Sequence, residues 1–321
     1  MGDGLTIANF LDNNWGIDLK LNLIAGKVGL HNRVLVNDIN RPGLTLSGFF
    51  DCFAYDRIQI FGLGETAFVS QLDQKIKEEM YSKFFSYDIL CCIFTHNEMP
   101  DELFIKHADE NNIPVMITEI KTTRFISLLI HYLDEVFAPK VTLHATFVDV
   151  FGVGILIMGK SGIGKSETAL ELIERGHRLV GDDMITVTKS SETSLRGCGS
   201  PLLMHNMEIR GLGIIDIHDI FGIRSVRESK KVELIVMLEE WNSNKEYDRL
   251  GLDTQMYSIL DVNVPLLTVP VKPGRNIPII IETAALNEKL KKAGKSSAKK
   301  LDERIKDHLI NDKKSEKSLN G

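Results

Sequence analysis

The eight residues from Gly159 to Ser166 (GKSGIGKS) are of the types that bind phosphate groups. They match the pattern GxxxxGK[ST] at every specified position. Glycines allow successive backbone N–H groups to point at phosphate oxygens, and Lys165 can reach the outer phosphates as a mobile charge. The hydroxyl of Ser166 can complete the shell of a magnesium ion. The remaining loop positions are Lys160, Ser161, Gly162, Ile163 and Gly164. The pattern predicts that a phosphorylated ligand binds here.

The residues on either side of this loop have the order that a phosphate-binding loop requires. Val153 to Met158 is short, apolar and β-branched, as in a buried parallel strand. Glu167 to Arg175 has an apolar face and a charged face, which predicts a helix, and Gly176 is a natural stop. A glycine-rich turn without a ligand is the alternative, but such a turn does not require Lys165 and Ser166 together.

Two acids are the first candidates to act on the bound phosphate. Asp182 and Asp183 follow a predicted strand, Arg178 to Val180, and a doubly wound sheet would bring that strand's end beside the loop. Neighbouring strand residues point to opposite faces, so the two acids need not share a role. One could orient a metal ion and the other could take the proton from an attacking hydroxyl. The alternative is a turn-forming pair that closes the strand.

Two further clusters contain charged residues that suit phosphate chemistry. In Met207 to Asp216 (MEIRGLGIID), Glu208 could bind a metal ion and Arg210 a phosphate, although the pair could equally be a surface ion pair. In Pro270 to Asn276 (PVKPGRN), two prolines stiffen a loop that carries Lys272 and Arg275. Paired cations on a rigid turn suit an anion, and a solvated loop is the equal alternative.

Length and composition favour a two-domain globular protein. The chain has 321 residues, of which 43% are hydrophobic and 26% charged, and its formal net charge is −6. This charge argues mildly against nucleic acid or an anionic membrane as the main partner. We find no run of 18 apolar residues and no basic region followed by an apolar stretch at the N-terminus. The sequence therefore predicts neither a membrane span nor a signal peptide.

Apolar runs and helix stops predict the domain organisation. Residues 1–134 alternate predicted strands and helices, as in a mixed α/β domain, and include an expected helix from Gly4 to Asn13. A helix predicted from Thr123 to Val136 ends before Pro139, and a second domain follows over residues 135–310. In this domain we predict strands that include Val141 to Phe151 and Ile277 to Ile281, and a C-terminal helix that frays after Ile310. Residues 311–321 are expected to be a flexible basic tail, because residues 287–321 hold ten Lys and one Arg against six acids.

Taken together, these motifs resemble the HPr kinase/phosphorylase family, and the resemblance covers most of the chain. The matching segments are an NRPG turn at residues 40–43, His144 before a strand that ends VFG, GKSGIGKSE, RGHRLVGDD, MEIRGLGIID and PVKPGRN. Three positions depart from the family's usual pattern. Ala145 and Gly181 exchange one small residue for another, whereas Lys272 stands where arginine is usual.

The resemblance implies a fold, an activity and partners. It implies a phosphoenolpyruvate-carboxykinase-like P-loop domain in a bifunctional enzyme that phosphorylates a serine of HPr, the phosphocarrier protein of the sugar phosphotransferase system. The same site would remove that phosphate by phosphorolysis. The donor would be ATP or pyrophosphate with Mg²⁺. The family's other properties would be a cytoplasmic homo-hexamer, control by a sugar bisphosphate and inorganic phosphate, and a role in carbon catabolite repression.

The resemblance also assigns roles to individual residues. The catalytic set would be His144, Lys165, Asp183 and Arg249, although His144 and Arg249 are weak candidates on sequence grounds alone. Ser166 and Glu208 would hold magnesium, and Asp182 and Arg210 are further site candidates. The loop mainly used for dephosphorylation would be Pro270, Val271, Lys272, Pro273, Gly274 and Arg275. A P-loop kinase of another substrate and a nucleotide-sensing regulatory module remain alternatives.

Overall fold

The computed structural model describes residues 5–11, 18–245, 247 and 255–295. The chain separates after Ala138 into two compact units. Each unit is described by itself below.

The N-terminal unit is built on a sheet with the strand order β1-β5-β4-β3-β2 among the described residues. The strand β1 pairs antiparallel with β5, and the other pairs are parallel. The strands are β1 (Leu21–Ala25), β2 (Ile39–Asn40), β3 (Ile58–Phe61), β4 (Cys91–Phe94) and β5 (Val115–Thr118). The helices are α1 (Gly43–Leu46), α2 (Leu63–Ser70), α3 (Gln74–Phe85), α4 (Glu102–Glu110) and α5 (Thr122–Phe137).

Both faces of this sheet are covered by helices, which explains why its strands consist mainly of apolar residues. On one face, Phe61 and Phe94 pack with Phe84 and Phe104 from α3 and α4. On the other face, Ile60 packs with residues of α5. The helix expected from Gly4 to Asn13 is not confirmed, because the described residues there form only a short 3-10 turn, Ile7–Phe10.

The C-terminal unit contains two larger sheets and a hairpin within the described residues. The six-stranded sheet has the order β16-β17-β15-β8-β7-β9, and the four-stranded sheet has the order β14-β11-β10-β6. The strands of the C-terminal unit are β6 (Lys140–His144), β7 (Thr146–Val150), β8 (Val153–Gly159), β9 (Arg178–Gly181), β10 (Met184–Ser191), β11 (Ser194–Gly199), β12 (Asn206–Ile209), β13 (Gly213–Asp216), β14 (Ser229–Lys231), β15 (Leu234–Glu240), β16 (Gln255–Ile259) and β17 (Val262–Val271). Its helices are α6 (Lys165–Glu174), α7 (Ile217–Phe221) and α8 (Ile277–Lys292).

The six-stranded sheet lies between two hydrophobic cores. On one face, residues such as Ile155 and Val236 pack against Leu172 of α6 and Ile281 of α8. On the other face, residues such as Phe147 and Leu156 pack against Ile185 and neighbouring side chains of the four-stranded sheet. The unit therefore has three layers: helices, the six-stranded sheet and the four-stranded sheet.

The direction of the strands determines where the site forms. The strands β8, β15 and β17 are parallel, so their C-terminal ends lie at one edge of the sheet. The strand β7 is antiparallel to both β8 and β9, so β9 runs in the same direction as β8 and ends at the same edge. The expected doubly wound sheet is thus corrected to a mixed sheet with helices on one face and a second sheet on the other, but the end of β9 still lies on the side of the loop Gly159 to Ser166.

Two strand predictions for the C-terminal unit are wrong. The run from Val141 to Phe151 is two strands, β6 and β7, which belong to different sheets and are separated at Ala145. The run from Ile277 to Ile281 is the beginning of α8. The side chain of Asn276 caps this helix by accepting a hydrogen bond from the backbone N–H of Ile279 at 3.1 Å, and Pro278 lies in the first turn, where proline is tolerated.

The basic C-terminal part of the chain was expected to continue as a helix to Ile310 and then as the tail 311–321. These predictions lie outside the described residues, because the description ends at Lys295. Across the described ranges, the helices lack the combination of length and hydropathy needed to cross a bilayer.

Candidate active site

The stretch Gly159 to Ser166 connects β8 to α6, as the motif predicts. Gly162 and Gly164 adopt positive φ angles of 80° and 99°, which L-residues with a side chain rarely adopt. Gly164 is the N-cap of α6, and Lys165 and Ser166 are its first two residues. The loop therefore places free backbone N–H groups and the positive end of a helix dipole at one point, which suits an anion.

Lys165 is buried, with 6% of its surface exposed. Its Nζ lies 3.3 Å from Nε2 of His144 and 3.4 Å from each of the carbonyl oxygens of Gly159 and Lys160. These three neighbours are neutral acceptors when His144 is neutral, so they orient the ammonium group without cancelling its charge. Lys165 is consequently held in place with its charge available to a phosphate.

Asp183 and His144 form the exposed part of the site. Oδ1 of Asp183 lies 3.7 Å from Nδ1 of His144, and both side chains are about half exposed. The backbone of Asp183 is left-handed, with φ at 61°, and its carbonyl oxygen accepts a hydrogen bond from Ala145 N at 3.3 Å. When the Lys165 ammonium donates to Nε2, a neutral His144 ring carries its proton on Nδ1, the nitrogen that faces Asp183.

Asp182 differs from its neighbour in almost every respect. It is 3% exposed, and its Oδ1 accepts a hydrogen bond from Thr146 Oγ1 at 2.5 Å. Its Oδ2 is buried and accepts no hydrogen bond from a described residue. Burial raises the pKa of Asp182, and the hydrogen bond from the Thr146 hydroxyl opposes that rise. The two adjacent acids thus face different environments, one buried and one open to solvent.

A cleft of about 200 Å³ is shared by Lys165, His144 and Asp183, whereas the buried Asp182 does not line it. The residues that line it are His144, Ser161, Gly162, Gly164, Lys165, Ser166, Glu167, Asp183, Glu208 and Arg210. Glu208 is on β12 and Arg210 follows it in the β12–β13 hairpin. A Cβ atom at Gly162 would lie 2.8 Å from a guanidinium nitrogen of Arg210, so the absence of a side chain allows this arginine to approach the loop.

The oxygen atoms around the cleft fit a magnesium ion. Mg²⁺ prefers carboxylate, hydroxyl and water oxygens, and Ser166 and Glu208 offer such oxygens in the cleft. The carboxylate of Asp182 is buried outside the cleft lining, next in sequence to Asp183. The Oδ2 atom of Asp182, which lacks a hydrogen-bond donor among the described residues, is suited to accept from a metal-bound water. These residues would hold the ion, and the ion would neutralise charge on phosphate oxygens.

Not every predicted site residue lies in this cleft. The loop Pro270 to Arg275 begins at the end of β17, two strands from β8, and none of its residues lines the cleft. Arg249 lies outside the described residues. Sequence reasoning missed Thr146, Glu167 and Trp241, whose ring contacts Lys272. Glu167, in the first turn of α6 directly after the motif, is the one that its sequence position could have suggested.

Family models match both units. The model described as HPr Serine kinase N terminus matches residues 5–133, and the model described as HPr Serine kinase C-terminal domain matches residues 135–305. The HPr kinase/phosphorylase of Leptospira biflexa is 50% identical over 308 residues, with 95% of each chain covered. The HPr kinase/phosphorylase of Treponema pallidum is 50% identical over 288 residues, with 89% of this chain and 90% of the relative covered.

A solved structure described as the Hpr(Ser) kinase/phosphatase from Coxiella burnetii is 38% identical, with a TM-score of 0.45, and the match covers 48% of this chain and 93% of that one. The family models together span most of the chain, and the curated relatives match it over nearly their whole length. The chain therefore belongs to the HPr kinase/phosphorylase family of enzymes.

Proposed function

We propose that this chain is a bifunctional, Mg²⁺-dependent enzyme that phosphorylates a serine of HPr with ATP or pyrophosphate and removes the phosphate by phosphorolysis. Membership of the family supports HPr as the substrate. The observation that carries the proposal is the arrangement of Lys165, His144 and Asp183. The two ring nitrogens of His144 face the other two residues at 3.3 Å and 3.7 Å, so a phosphate-binding cation and a proton acceptor meet at one cleft.

In the kinase direction, Asp183 accepts the proton of the serine hydroxyl as the serine oxygen attacks the terminal phosphorus of the donor. The bond from that phosphorus to the bridging oxygen breaks, and ADP leaves, or phosphate when pyrophosphate is the donor. Lys165 and the backbone N–H groups of the loop stabilise the charge that develops on the transferred group. Magnesium, held by Ser166 and Glu208, would neutralise further charge on the phosphate oxygens.

In the reverse direction, inorganic phosphate attacks the phosphorus of phosphoserine. The bond between that phosphorus and the serine oxygen breaks, Asp183 donates a proton to the serine oxygen, and the attacking phosphate returns a proton to Asp183. The products are serine and pyrophosphate, so protons and charges balance. The cations of the loop Pro270 to Arg275 would bind the attacking phosphate, and Arg249 would complete the catalytic set.

The proposal also covers the domain type, the assembly, the cellular location and the regulation of the enzyme. We place both reactions in a phosphoenolpyruvate-carboxykinase-like domain over residues 135–310 of a cytoplasmic homo-hexamer. A sugar bisphosphate and inorganic phosphate would control it, and it would regulate carbon metabolism. Large exposed apolar side chains in residues 201–224 support self-association, since such surfaces are usually covered by a partner. The most exposed of them are Leu202, Leu212, Ile214, Ile220 and Ile223.

The test is to incubate the full-length protein with HPr, ATP and Mg²⁺ and to follow phosphoserine on HPr by mass spectrometry. Inorganic phosphate is then added and pyrophosphate release is measured. An HPr variant with alanine in place of the acceptor serine is the control. Slow hydrolysis of ATP to ADP and phosphate, with water as the acceptor and no phosphorylation of HPr, would indicate a P-loop kinase of another substrate. Nucleotide binding without any transfer would indicate a sensing module and would overturn the proposal.

A further inference from the structure

The two cations of the loop Pro270 to Arg275 are held in different ways. Arg275 folds back on the loop itself, since its guanidinium donates to the carbonyl oxygen of Pro270 at 3.2 Å. Its backbone N–H donates to the carbonyl oxygen of Lys272 at 3.1 Å, which closes the turn. Lys272 makes a contact outside the loop, because its Nζ lies 5.6 Å from the ring centroid of Trp241. An aromatic ring attracts a cation at this distance.

The sheet brings Trp241 to this position. Trp241 follows the last residue of β15, Glu240, which is in register with Val271 at the end of β17. The backbone N–H of Trp241 donates to the carbonyl oxygen of Val271 at 3.1 Å. Trp241 is 47% exposed as a residue, and its ring stacks on Tyr247 with a centroid separation of 5.1 Å and an interplanar angle of 22°. The backbone and the stacked ring thus both restrain Trp241.

A second lysine in the same region provides a contrast. Lys245 lies 5.7 Å from the ring centroid of Tyr247, but its Nζ also contacts both carboxylate oxygens of Glu239 at 2.8 Å. Lys272 has no ion-pair partner among the described residues. A ring restrains an ammonium group without neutralising it, whereas a carboxylate cancels its charge. Lys272 is therefore restrained and still able to bind an anion.

We propose that Trp241 is a positioning residue for phosphorolysis, which holds the Lys272 ammonium where it receives the attacking inorganic phosphate. This inference rests on the proposed function and deepens it. A lysine has a flexible stem and cannot offer the two parallel N–H donors of an arginine. Where arginine would fix its own geometry on phosphate, the ring of Trp241 limits the positions that Lys272 can adopt.

The experiment measures phosphorolysis of phosphoserine-HPr as a function of phosphate concentration, and HPr phosphorylation as a function of ATP concentration. We expect Trp241→Leu to raise the KM for phosphate about two- to fivefold, the effect of one exposed cation–ring contact. The KM for ATP stays within about twofold of wild type, and Trp241→Phe, which keeps a ring, restores most of the phosphate affinity. Lys245→Met, the matched lysine control, leaves the KM for phosphate unchanged.

A double-mutant cycle with Lys272→Met separates positioning from general structural damage. We expect Trp241→Leu to have no further effect on the KM for phosphate once Lys272 is replaced. An equal effect in both backgrounds would overturn the inference, as would an unchanged phosphate KM in Trp241→Leu. A rise in the KM for ATP of the same size would assign the ring to the nucleotide instead. Wild-type protein that phosphorylates HPr but releases no pyrophosphate, and binds no inorganic phosphate by calorimetry, would reject both this inference and the phosphorolysis half of the proposed function.

Discussion

Replacing Asp183 with asparagine should remove the proton acceptor and leave the site intact. The backbone at Asp183 is left-handed, with φ at 61°, and asparagine is among the residues that tolerate this conformation best. The side chain is about 40% exposed, so the change creates no buried unpaired group. The amide of asparagine is nearly isosteric with the carboxylate, but it cannot accept a proton from serine at neutral pH. We expect the variant to fold and to bind nucleotide as the wild type does.

The size of the loss follows from the role assigned to Asp183. General acid or base catalysis typically contributes about 10²- to 10⁴-fold to a rate. Because each tenfold change corresponds to about 1.4 kcal/mol of activation free energy, the expected cost is about 3–5 kcal/mol. Both directions should slow together, since the same carboxylate accepts the proton in one and donates it in the other. The KM for ATP should change by less than about threefold, because in the proposed complex the phosphates contact the loop and Lys165 and not Asp183.

The assay is HPr phosphorylation followed by mass spectrometry, with pyrophosphate release as the measure of the reverse reaction. Asp261→Asn is a matched control, because Asp261 also has a left-handed backbone, with φ at 64°, and lies in the exposed turn between β16 and β17. The control should retain full activity in both directions. A transfer rate in Asp183→Asn within tenfold of wild type would show that another group accepts the proton.

Three further variants test the neighbouring groups. Burial raises the pKa of Asp182, so the folded protein favours the protonated carboxyl group. Its contribution to the free energy of unfolding is therefore fully present below the ordinary pKa of aspartate, about 4, and is lost as pH rises through the pKa in the folded state. With EDTA present, the unfolding temperature of Asp182→Asn should therefore rise relative to that of wild type as pH increases. Unfolding midpoints measured from pH 4 to 8 check this, and a difference between the two proteins that stays constant with pH would contradict it. Gly162→Ala should weaken ATP binding roughly five- to thirtyfold, from about 1–2 kcal/mol of left-handed strain and a contact at 2.8 Å with Arg210. Lys272→Arg should raise the phosphorolysis rate relative to the kinase rate at moderate phosphate, since arginine binds phosphate with two parallel donors; wild-type rates that already match in the two directions would refute that reasoning.

The phosphate loop was predictable because its signal is local. A strand, a glycine-rich loop and a helix follow one another within Val153 to Arg175, and the structure has these elements in that order. The hydrophobic periodicity and the motif describe the same short segment, so no long-range information was needed. The positive φ angles of Gly162 and Gly164 are the physical reason for the residue types in the motif.

The sheet order was not predictable from the same kind of signal. Asp182 and Asp183 are expected beside the loop because a doubly wound sheet would bring the end of their strand there, whereas in the structure β7 lies between β9 and β8 and runs in the opposite direction. Nothing in the run from Val141 to Phe151 marks the break at Ala145, where the chain leaves one sheet for another. The two acids still lie at the same edge of the sheet as the loop, because β7 alone separates β9 from β8 and is antiparallel to both.

The strand predicted at Ile277 to Ile281 shows how a short apolar run misleads. Five apolar residues fit a buried strand or the buried face of a helix equally well, so the flanking residues decide. Here Asn276 supplies a helix cap and Pro278 occupies the first turn, two signals that favour a helix start. The contacts between Arg210 and Gly162 and between Lys272 and Trp241 join residues that are distant in sequence, so no local sequence pattern predicts them.

The sheet also brings the two proposed phosphate-binding loops to one edge. The loop after β8 and the loop after β17 lie at the same edge of the sheet, with β15 between them. Neighbouring strands are about 4.8 Å apart, so the two loops begin roughly 10 Å from each other. In the proposed phosphorolysis, Lys165 would bind the phosphoryl group that is transferred and Lys272 the phosphate that attacks it. Under the proposed function, Lys165 and Lys272 would bind the two halves of one pyrophosphate, whereas the kinase direction with ATP would require Lys165 alone. Restraint of Lys272 by Trp241 would then alter the reverse reaction alone, which is why the KM for phosphate is the quantity that decides between positioning and general stability.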